Sequence, residues 1–244
     1  SYTLDKQFTD EREGVTVAPV DIYVDQLLED FPQIAGGEVG SYPVDEGLGV
    51  IYITRDDPDG AGGIMPAVRI RNGQEMPSGG LTFATDLPLY VEGDYNTGAT
   101  RQPTMLTADA VTFLSNNWQD AKSAADLSER ATTDTEYNTV VMTGNTETVK
   151  DGQYNGGLEN VLRLLEDWQE GGKKTLKFRG SIIDLWYSEI ANSPWSYGDY
   201  YKAPTRNWEF DPILTTEAPP GVTKVFGVEM LTWRVSSWEE HGWN

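Results

Sequence analysis

The stretch from Leu81 to Asn117 constrains the fold most, because short apolar segments follow one another there with no helical pattern between them. Leu87, Leu89 and Val91 are separated by single residues, and the same alternation returns from Val111 to Ser115. A period of two residues is typical of β-strands, whose successive side chains point to opposite faces of a sheet. The stretch therefore predicts a series of consecutive short strands.

Glycine and asparagine separate these segments, and similar segments return later in the chain. Gly93 to Gly98 and Ser115 to Asn117 supply residues that tolerate the left-handed backbone of a tight corner. Further short apolar runs, Tyr137 to Gly144 and Leu176 to Trp186, each end at a corner residue or an aromatic ring. This pattern predicts a mainly β fold, with either a β-solenoid-like core or an irregular β-sandwich core.

Two segments have the spacing of amphipathic helices. Apolar residues recur every three or four positions from Val20 to Phe31, and Pro19 suits a first helical turn. Leu158 to Trp168 has the clearest helical pattern, and Gly171 and Gly172 follow as a stop signal. Its apolar face consists of Leu158, Val161, Leu162, Leu165 and Trp168. We therefore predict one or two helices packed on the β core, the second as a lid or lateral support.

Composition divides the chain into two regions. Residues 1–79 form a mixed N-terminal region, in which the first helix precedes two strand candidates, Leu48 to Thr54 and Ala67 to Arg71. Residues 80–244 form a β-rich region with an aromatic C-terminal part, which finishes with a strand-like segment from Lys224 to Ser236. A polar stretch from Ser123 to Glu136 interrupts this region and indicates a surface insertion or a short helix.

Charge and composition exclude several classes of partner and site. The chain has 244 residues and a formal net charge of −21, so its surface repels phosphate backbones and anionic lipid headgroups. We therefore expect neither nucleic-acid binding nor direct membrane binding. Cysteine is absent, which excludes disulfides and thiolate metal sites. The single histidine, His241, lies near the C terminus, where we expect exposure to solvent rather than catalysis.

An acidic loop after the Leu48 to Thr54 strand candidate is the best metal candidate in the sequence. Asp56, Asp57 and Asp59 lie in a short loop that glycine ends, and they can offer the oxygen ligands that calcium prefers. The spacing differs from that of an EF-hand loop, because Arg55 stands where the first acidic ligand would be. Two interpretations remain, a calcium site or an ordinary Asp/Gly/Pro turn, and we expect no other cofactor.

The tract from Trp186 to Trp208 contains 7 of the chain's 27 aromatic residues. They are Trp186, Tyr187, Trp195, Tyr197, Tyr200, Tyr201 and Trp208. Three interpretations remain: the rings cover an open flank of the β core, form a protein interface, or stack on sugars. Asp184 and Glu189 could flank a glycosidic bond, but a chain with 39 acidic residues contains many such pairs by chance.

Six phrases carry a resemblance to a known family. In chain order they are LPLYVEGDYNT, ADAVTFLSNNW, VVMTGN, YNGGLENVLRLLEDW, LKFRGSIIDLWYS and PTRNWEFD, within residues Gly80 to Pro212. They resemble the C-terminal ectodomain of PilX-like bacterial pilus-assembly proteins, which follows a prepilin-like N-terminal membrane helix. The resemblance implies a cell-surface, pilus-associated protein and brings no catalytic residues. Ser1 to Gly14 has neither a prepilin cleavage motif nor an apolar helix, so we expect either removal of an anchored part or a stand-alone relative.

Two classes of function follow. The first is a non-enzymatic extracellular protein, a subunit of or accessory to a type IV pilus-like filament, whose partners are other subunits or copies of itself. The alternative is a secreted carbohydrate-binding or carbohydrate-active β-helical protein. Exposure of the aromatic tract separates the two, because rings that lie open in a groove beside two carboxylates favour the glycan, whereas rings packed inside or against a subunit favour the filament.

Overall fold

The strands that the structure describes form two sheets. The structure is a computed structural model that describes residues 2–35, 49–56, 63–148 and 154–223. The first sheet contains β1 (Tyr2–Thr3), β2 (Phe8–Asp10), β3 (Val15–Tyr23), β5 (Ile64–Arg71), β7 (Leu89–Glu92), β9 (Val111–Leu114) and β11 (Leu162–Leu164). The second sheet contains β4 (Gly49–Ile53), β6 (Leu81–Thr85), β8 (Thr104–Ala108), β10 (Thr135–Asn145), β12 (Thr175–Tyr187) and β13 (Thr205–Glu209). The prediction of a mainly β fold is confirmed.

Successive strands from β3 to β12 alternate between the two sheets. Each strand therefore pairs with the strand two positions away along the chain, and all of these pairs are parallel. Parallel neighbours require a crossover connection, and here each crossover contains a strand of the opposite sheet. β1 and β2 differ, since they pair with β3 in the antiparallel sense. β4 and β5 belong to the N-terminal region, yet they share the two sheets with the later strands.

In-register pairing stacks apolar residues into columns that face the space between the sheets. One column of the first sheet runs through Val20, Val68, Leu89, Val111 and Leu162. A facing column of the second sheet runs through Ile51, Phe83, Leu106, Val141 and Ile182. Apart from Val20, these residues belong to one buried cluster or pack against it, and the stacked rings of Phe113 and Tyr137 lie inside this cluster. The core therefore lies between the two sheets.

The helices differ from the sequence predictions. α1 spans Val24–Ala35, whereas Val20 lies in β3, so the first helix begins four residues later than the Val20 start of the periodicity. The predicted helix over Leu158 to Trp168 is wrong: α2 is a single turn, Leu158–Val161, and β11 follows at once. Pairing of Leu162 with Val111 of β9 overrides the helical spacing there. Among the described residues, no helix has the length and apolar character that crossing a membrane requires.

The opposite face of the first sheet carries a buried ionic network. Arg69, which is 0% exposed, donates hydrogen bonds to Asp21 at 2.6 and 2.9 Å and to Asp120 at 2.6 and 3.1 Å. Its guanidinium also lies 5.1 Å from the centroid of the Phe8 ring. Burial alone would lower the pKa of Arg69, but the hydrogen bonds from Arg69 to these carboxylates outweigh burial and raise it. The buried charges are thus fully partnered.

Glu166 is a buried acid at the end of β11. Its carboxylate is 1% exposed and accepts hydrogen bonds from the backbone N–H of Ser115 at 2.6 Å and from its hydroxyl at 2.7 Å. Burial raises the pKa of Glu166 to about 7, although the bonds from Ser115 and the charge of Arg130 oppose the rise. The charge of Glu92 adds to it. Glu166 therefore changes its ionisation near neutral pH.

We predict that Leu162→Ala lowers the free energy of unfolding by about 2 to 5 kcal/mol, because Leu162 is buried in the core between the sheets. Leu158→Ala is the matched control, since Leu158 is 58% exposed, and we expect a change below about 0.5 kcal/mol. Equilibrium denaturation measures both. Equal losses for the two variants would instead support a helix that buries both leucines.

We also predict that stability falls between pH 5 and 8 and that Glu166 causes part of the fall. An unfolded glutamate ionises near pH 4.5, so between that pH and about 7 the unfolded state loses its proton first and is favoured. Glu166→Gln should flatten the dependence of melting temperature on pH over this range. Glu170→Gln, at an exposed position, should keep the wild-type slope. Identical slopes for wild type and Glu166→Gln would contradict the prediction.

Candidate functional site

An open cleft of about 440 Å³ lies at the carboxyl ends of β4, β6, β8 and β12. Three aromatic rings line it, those of Tyr52, Trp186 and Tyr187, with exposed fractions of 61%, 37% and 62%. Ala84 and Thr107, which pair in register with Tyr52, line the cleft with small side chains. Large rings are therefore exposed to solvent around a shallow depression, whereas most of the rings that the structure describes lie in or against the two hydrophobic clusters.

A β-bulge in β12 brings Trp186 to this cleft. Thr143 of β10 pairs with Asp184, but the next residue, Gly144, pairs with Trp186, so Leu185 has no counterpart. Side chains alternate along a strand, and Gly144 is two residues after Met142, whose side chain lines a groove on the outer face of the second sheet. The extra residue thus turns Trp186 to the outer face. Bulges commonly redirect a side chain in this way beside functional sites.

Because Gly144 has no side chain, the indole of Trp186 can occupy the space beside its backbone. A Cβ atom at this position would lie 2.6 Å from Cδ1 of Trp186 and 2.6 Å from the carbonyl oxygen of Asp109. Both distances are far below ordinary van der Waals contact, so a larger residue would displace the indole or the neighbouring chain. The position therefore fixes the depth at which the tryptophan lies against β10.

Asp109, at the corner between β8 and β9, anchors the far wall of the cleft. Its buried carboxylate accepts backbone hydrogen bonds from Glu189 at 2.6 Å, Ile190 at 3.2 Å and Ala191 at 2.9 Å. Its carbonyl oxygen accepts one from the hydroxyl of Ser188 at 2.8 Å. Charge-assisted bonds to three successive N–H groups hold a segment without helix or strand in one conformation. The residues that follow Tyr187 are thereby fixed.

The N-terminal hairpin of β2 and β3 holds the next residues of the same segment. Glu13 accepts a hydrogen bond from the backbone N–H of Ser193 at 2.9 Å, and Arg12 donates to the Ser193 carbonyl at 3.0 Å. Arg163 donates to the Ala191 carbonyl and, at 2.7 Å, to Glu13. Burial and the charge of Arg163 lower the pKa of Arg12 to about 10, so it remains cationic at neutral pH. The cleft thus has a rigid outer wall.

Two exposed carboxylates complete the cleft. Asp86 follows β6 and accepts a hydrogen bond from the hydroxyl of Thr54 at 3.1 Å. Glu189 follows the aromatic pair, and its backbone rather than its carboxylate makes the contact with Asp109. Among the described lining residues are three carboxylates and no lysine or arginine. The cleft therefore combines aromatic surface with negative charge.

The other rings of the predicted tract lie elsewhere. Tyr201 is buried in the core, and Trp195 packs partly buried beside it, donating its indole N–H to the Tyr201 hydroxyl at 3.2 Å. Trp208 of β13 packs edge-on against Phe178. Tyr200 lines a small enclosed space beside α2 and β11, and Tyr197 is 52% exposed. The tract therefore divides into Trp186 and Tyr187, which line the cleft, and rings that mostly cover the flank of the core.

Several residues singled out from the sequence, both candidate metal ligands and a histidine expected to be exposed, fall outside the described part of the chain. Asp57, Asp59 and His241 lie there, as does the strand-like segment from Lys224 to Ser236, whereas Asp56 is described at the end of a segment. Within the described ranges, no group of three or more His, Cys, Asp or Glu side chains is arranged to hold a metal ion. The calcium site at Asp56, Asp57 and Asp59 remains a prediction.

A larger groove, of about 590 Å³, lies on the outer face of the second sheet. Its lining is mainly apolar and includes Met105, Met142, Ile183 and Phe210, together with the last described residues up to Thr223. The hydroxyl of Thr82 donates to the carbonyl of Pro220 at 2.7 Å and fastens this final segment across the sheet. Among the described residues its lining has one aromatic ring, that of Phe210, and one carboxylate, that of Glu217, whereas the cleft brings three rings and three carboxylates together. The cleft is therefore the candidate site.

Sequence reasoning found part of the cleft. It named Trp186, Tyr187 and Glu189, but it missed Tyr52 and Asp86, which lie more than a hundred residues earlier. Comparison with family models, curated proteins and solved structures finds no match for this chain. The case for function therefore depends on the geometry of the cleft and of the two sheets.

We predict that Asp109→Ala releases the wall of the cleft. Loss of hydrogen bonds to a charged acceptor, each contributing about 1.5 to 3 kcal/mol, should speed amide hydrogen exchange at Glu189 and Ala191 by about tenfold or more. Asp86→Ala is the control, because its carboxylate accepts no backbone N–H among the described residues. Unchanged exchange in Asp109→Ala would show that other contacts hold the segment.

Proposed function

We propose that this protein is a non-enzymatic protein of the cell surface that binds a partner through the aromatic cleft. The observation that carries the proposal is the exposure of Tyr52, Trp186 and Tyr187 together in one cleft. A bulge places Trp186 there, and Asp109 holds the segment that follows Tyr187. Exposure of aromatic surface to water is energetically unfavourable, and contiguous patches of such surface commonly mark interaction sites. Aromatic residues are also enriched among those that dominate binding energy.

We further propose that the two sheets are the walls of a parallel β-solenoid. The strict alternation of strands between the sheets from β3 to β12 supports this, because each coil then contributes one strand to each wall. A sandwich built from hairpins would instead have mostly antiparallel neighbours. In a solenoid each coil contacts mainly its neighbours, and the end coils need protection from edge-to-edge pairing.

We propose that the partner belongs to a surface filament of the type IV pilus kind. The sequence phrases that resemble the PilX-like family support this proposal, because five of them overlap with strands of the two sheets. These phrases contain Leu89, Val111, Val141, Leu162 and Phe178, which lie in β7, β9, β10, β11 and β12. The edge of β12 also supports a structural role. β13 pairs with Thr175 to Arg179 only, so Gly180 to Tyr187 has no second strand partner among the described residues. Such an edge can accept a strand from another subunit.

Carbohydrate binding is a second candidate function, and one observation favours it. The rings of Trp186 and Tyr187 lie open in a groove beside the carboxylates of Asp86 and Glu189, which is the arrangement expected of a glycan platform. Flat rings stack on the apolar face of a sugar, and carboxylates accept hydrogen bonds from its hydroxyls. The filament proposal and the glycan candidate therefore use the same cleft.

Co-sedimentation separates the two candidates. We expect the purified protein to pellet with filaments sheared from the producing cells, and Trp186→Ala to weaken this binding about thirtyfold, as loss of a hot-spot residue does. Tyr197→Ala is the matched control, because this ring is exposed outside the cleft. Pelleting with insoluble polysaccharides but not with filaments would favour the glycan candidate. Cleavage of a polysaccharide that Glu189→Gln abolishes would overturn the non-enzymatic proposal.

A further inference from the structure

We propose that the aromatic cleft takes a cationic side chain, lysine or arginine, from a partner protein. The inference rests on the proposed function, since it names the chemistry of the partner that the cleft binds. Three features support it. The lining of the cleft is negatively charged, two of its carboxylates have no cationic partner among the described residues, and elsewhere in this chain arginines lie between an aromatic ring and a carboxylate.

The lining of the cleft has negative charge without a compensating cation. Asp86, Asp109 and Glu189 line it, and no lysine or arginine does among the described residues. Asp109 is committed to the backbone N–H groups of the segment after Tyr187, so Asp86 and Glu189 are the carboxylates that can meet a ligand. A partner with positive charge is complementary to this surface, and complementarity of this kind selects partners.

Several acids on or beside the sheets of this protein have a cationic partner among the described residues. Asp21 pairs with Arg69, Glu136 with Lys177, Asp167 with Lys202 and Asp211 with Arg101. Asp86 and Glu189 make no salt bridge with any described residue; Asp86 accepts one hydroxyl and Glu189 accepts no hydrogen bond through its side chain. The cleft is thus a place where ring faces and unpaired carboxylates occur together.

The chain itself contains this combination with the cation present. The Arg69 guanidinium lies 5.1 Å from the Phe8 centroid while it bonds to Asp21, and the Arg71 guanidinium lies 5.6 Å from the Tyr23 centroid while it pairs with Glu92. A ring face attracts the cation and a carboxylate fixes its direction. The cleft offers the same two kinds of group around a space of about 440 Å³.

A neutral glycan would use the rings but would not need two unpaired carboxylates. Water competes well with a sugar hydroxyl for a carboxylate, whereas a cation adds Coulomb attraction to the carboxylate. A cleft of about 440 Å³ that opens to solvent admits a long side chain together with its flanking backbone. These features favour a basic segment of a protein over a sugar chain.

Titration followed by NMR tests the inference. The probes are the end-blocked peptide Gly-Gly-Arg-Gly-Gly, its lysine analogue, and its citrulline analogue, which keeps the shape of arginine without the charge. We expect the arginine peptide to shift the indole N–H of Trp186 and the amide of Glu189, and the citrulline peptide to bind at least about fivefold more weakly. Raising salt from 50 to 500 mM should weaken the arginine peptide and leave the citrulline peptide unchanged.

Substitutions locate the effect. Glu189→Gln and Asp86→Asn should each weaken the arginine peptide about threefold or more, while Glu129→Gln, at an exposed acid in the turn Leu127–Glu129, should not. Both cleft acids are exposed, so these variants should keep the wild-type melting temperature and fold.

The outcomes separate this inference from the proposed function. Equal binding of the arginine and citrulline peptides would overturn the choice of a cation but leave the cleft as a protein-binding site. Binding of a neutral oligosaccharide such as cellotetraose, with no response to either peptide, would overturn the inference in favour of the glycan candidate. Binding of spermidine or glucosamine in preference to both cationic peptides would overturn the protein source of the cation. No shift at Trp186 with any probe would overturn the cleft itself.

Discussion

In-register parallel pairing is the constraint on which the rest of this structure depends. Because neighbouring strands run in the same direction with their residues aligned, each side chain stacks on its counterparts in the adjacent strands. An apolar column such as Val68, Leu89 and Val111 is buried along its whole length. A polar residue in a column must find opposite charge beside it, and Asp21 meets Arg69 for this reason. The ionic network is therefore a consequence of register.

The cleft arises where this register is interrupted. The bulge at Leu185 turns the last residues of β12 outward. These residues come after the part of the strand that contributes to the core columns. Asp109 then holds the chain that follows through backbone hydrogen bonds, so the segment keeps a defined shape without belonging to either sheet. Because the interruption comes after the last core residues, the exposed rings remove no contact between the sheets. The core residues and the exposed rings therefore occupy separate parts of the same strand.

The sequence predicted the strands better than it predicted the helices or the site. Alternation around Leu89 and Val111 identified strands because period two is a local property of the chain. The helical spacing from Leu158 gave a wrong prediction, because Leu162 and Leu164 fit a strand as well as a helix. Pairing of these residues with β9 selects the strand. Tyr52 could not be linked to Trp186 from the sequence, because their proximity depends on which strands share a sheet and on the register among them. The tryptophan and tyrosine at 186 and 187 were found through aromatic density alone.

The bulge at Leu185 also bears on how such a protein can diversify. The outward residues Tyr52, Ala84 and Thr107, at the ends of β4, β6 and β8, line the cleft, while inward residues of the same strands hold the sheets together. Inherited changes at these positions can therefore alter the chemistry of the cleft without disturbing the packing of the two sheets. A lineage can keep one scaffold and vary its exposed surface one strand end at a time.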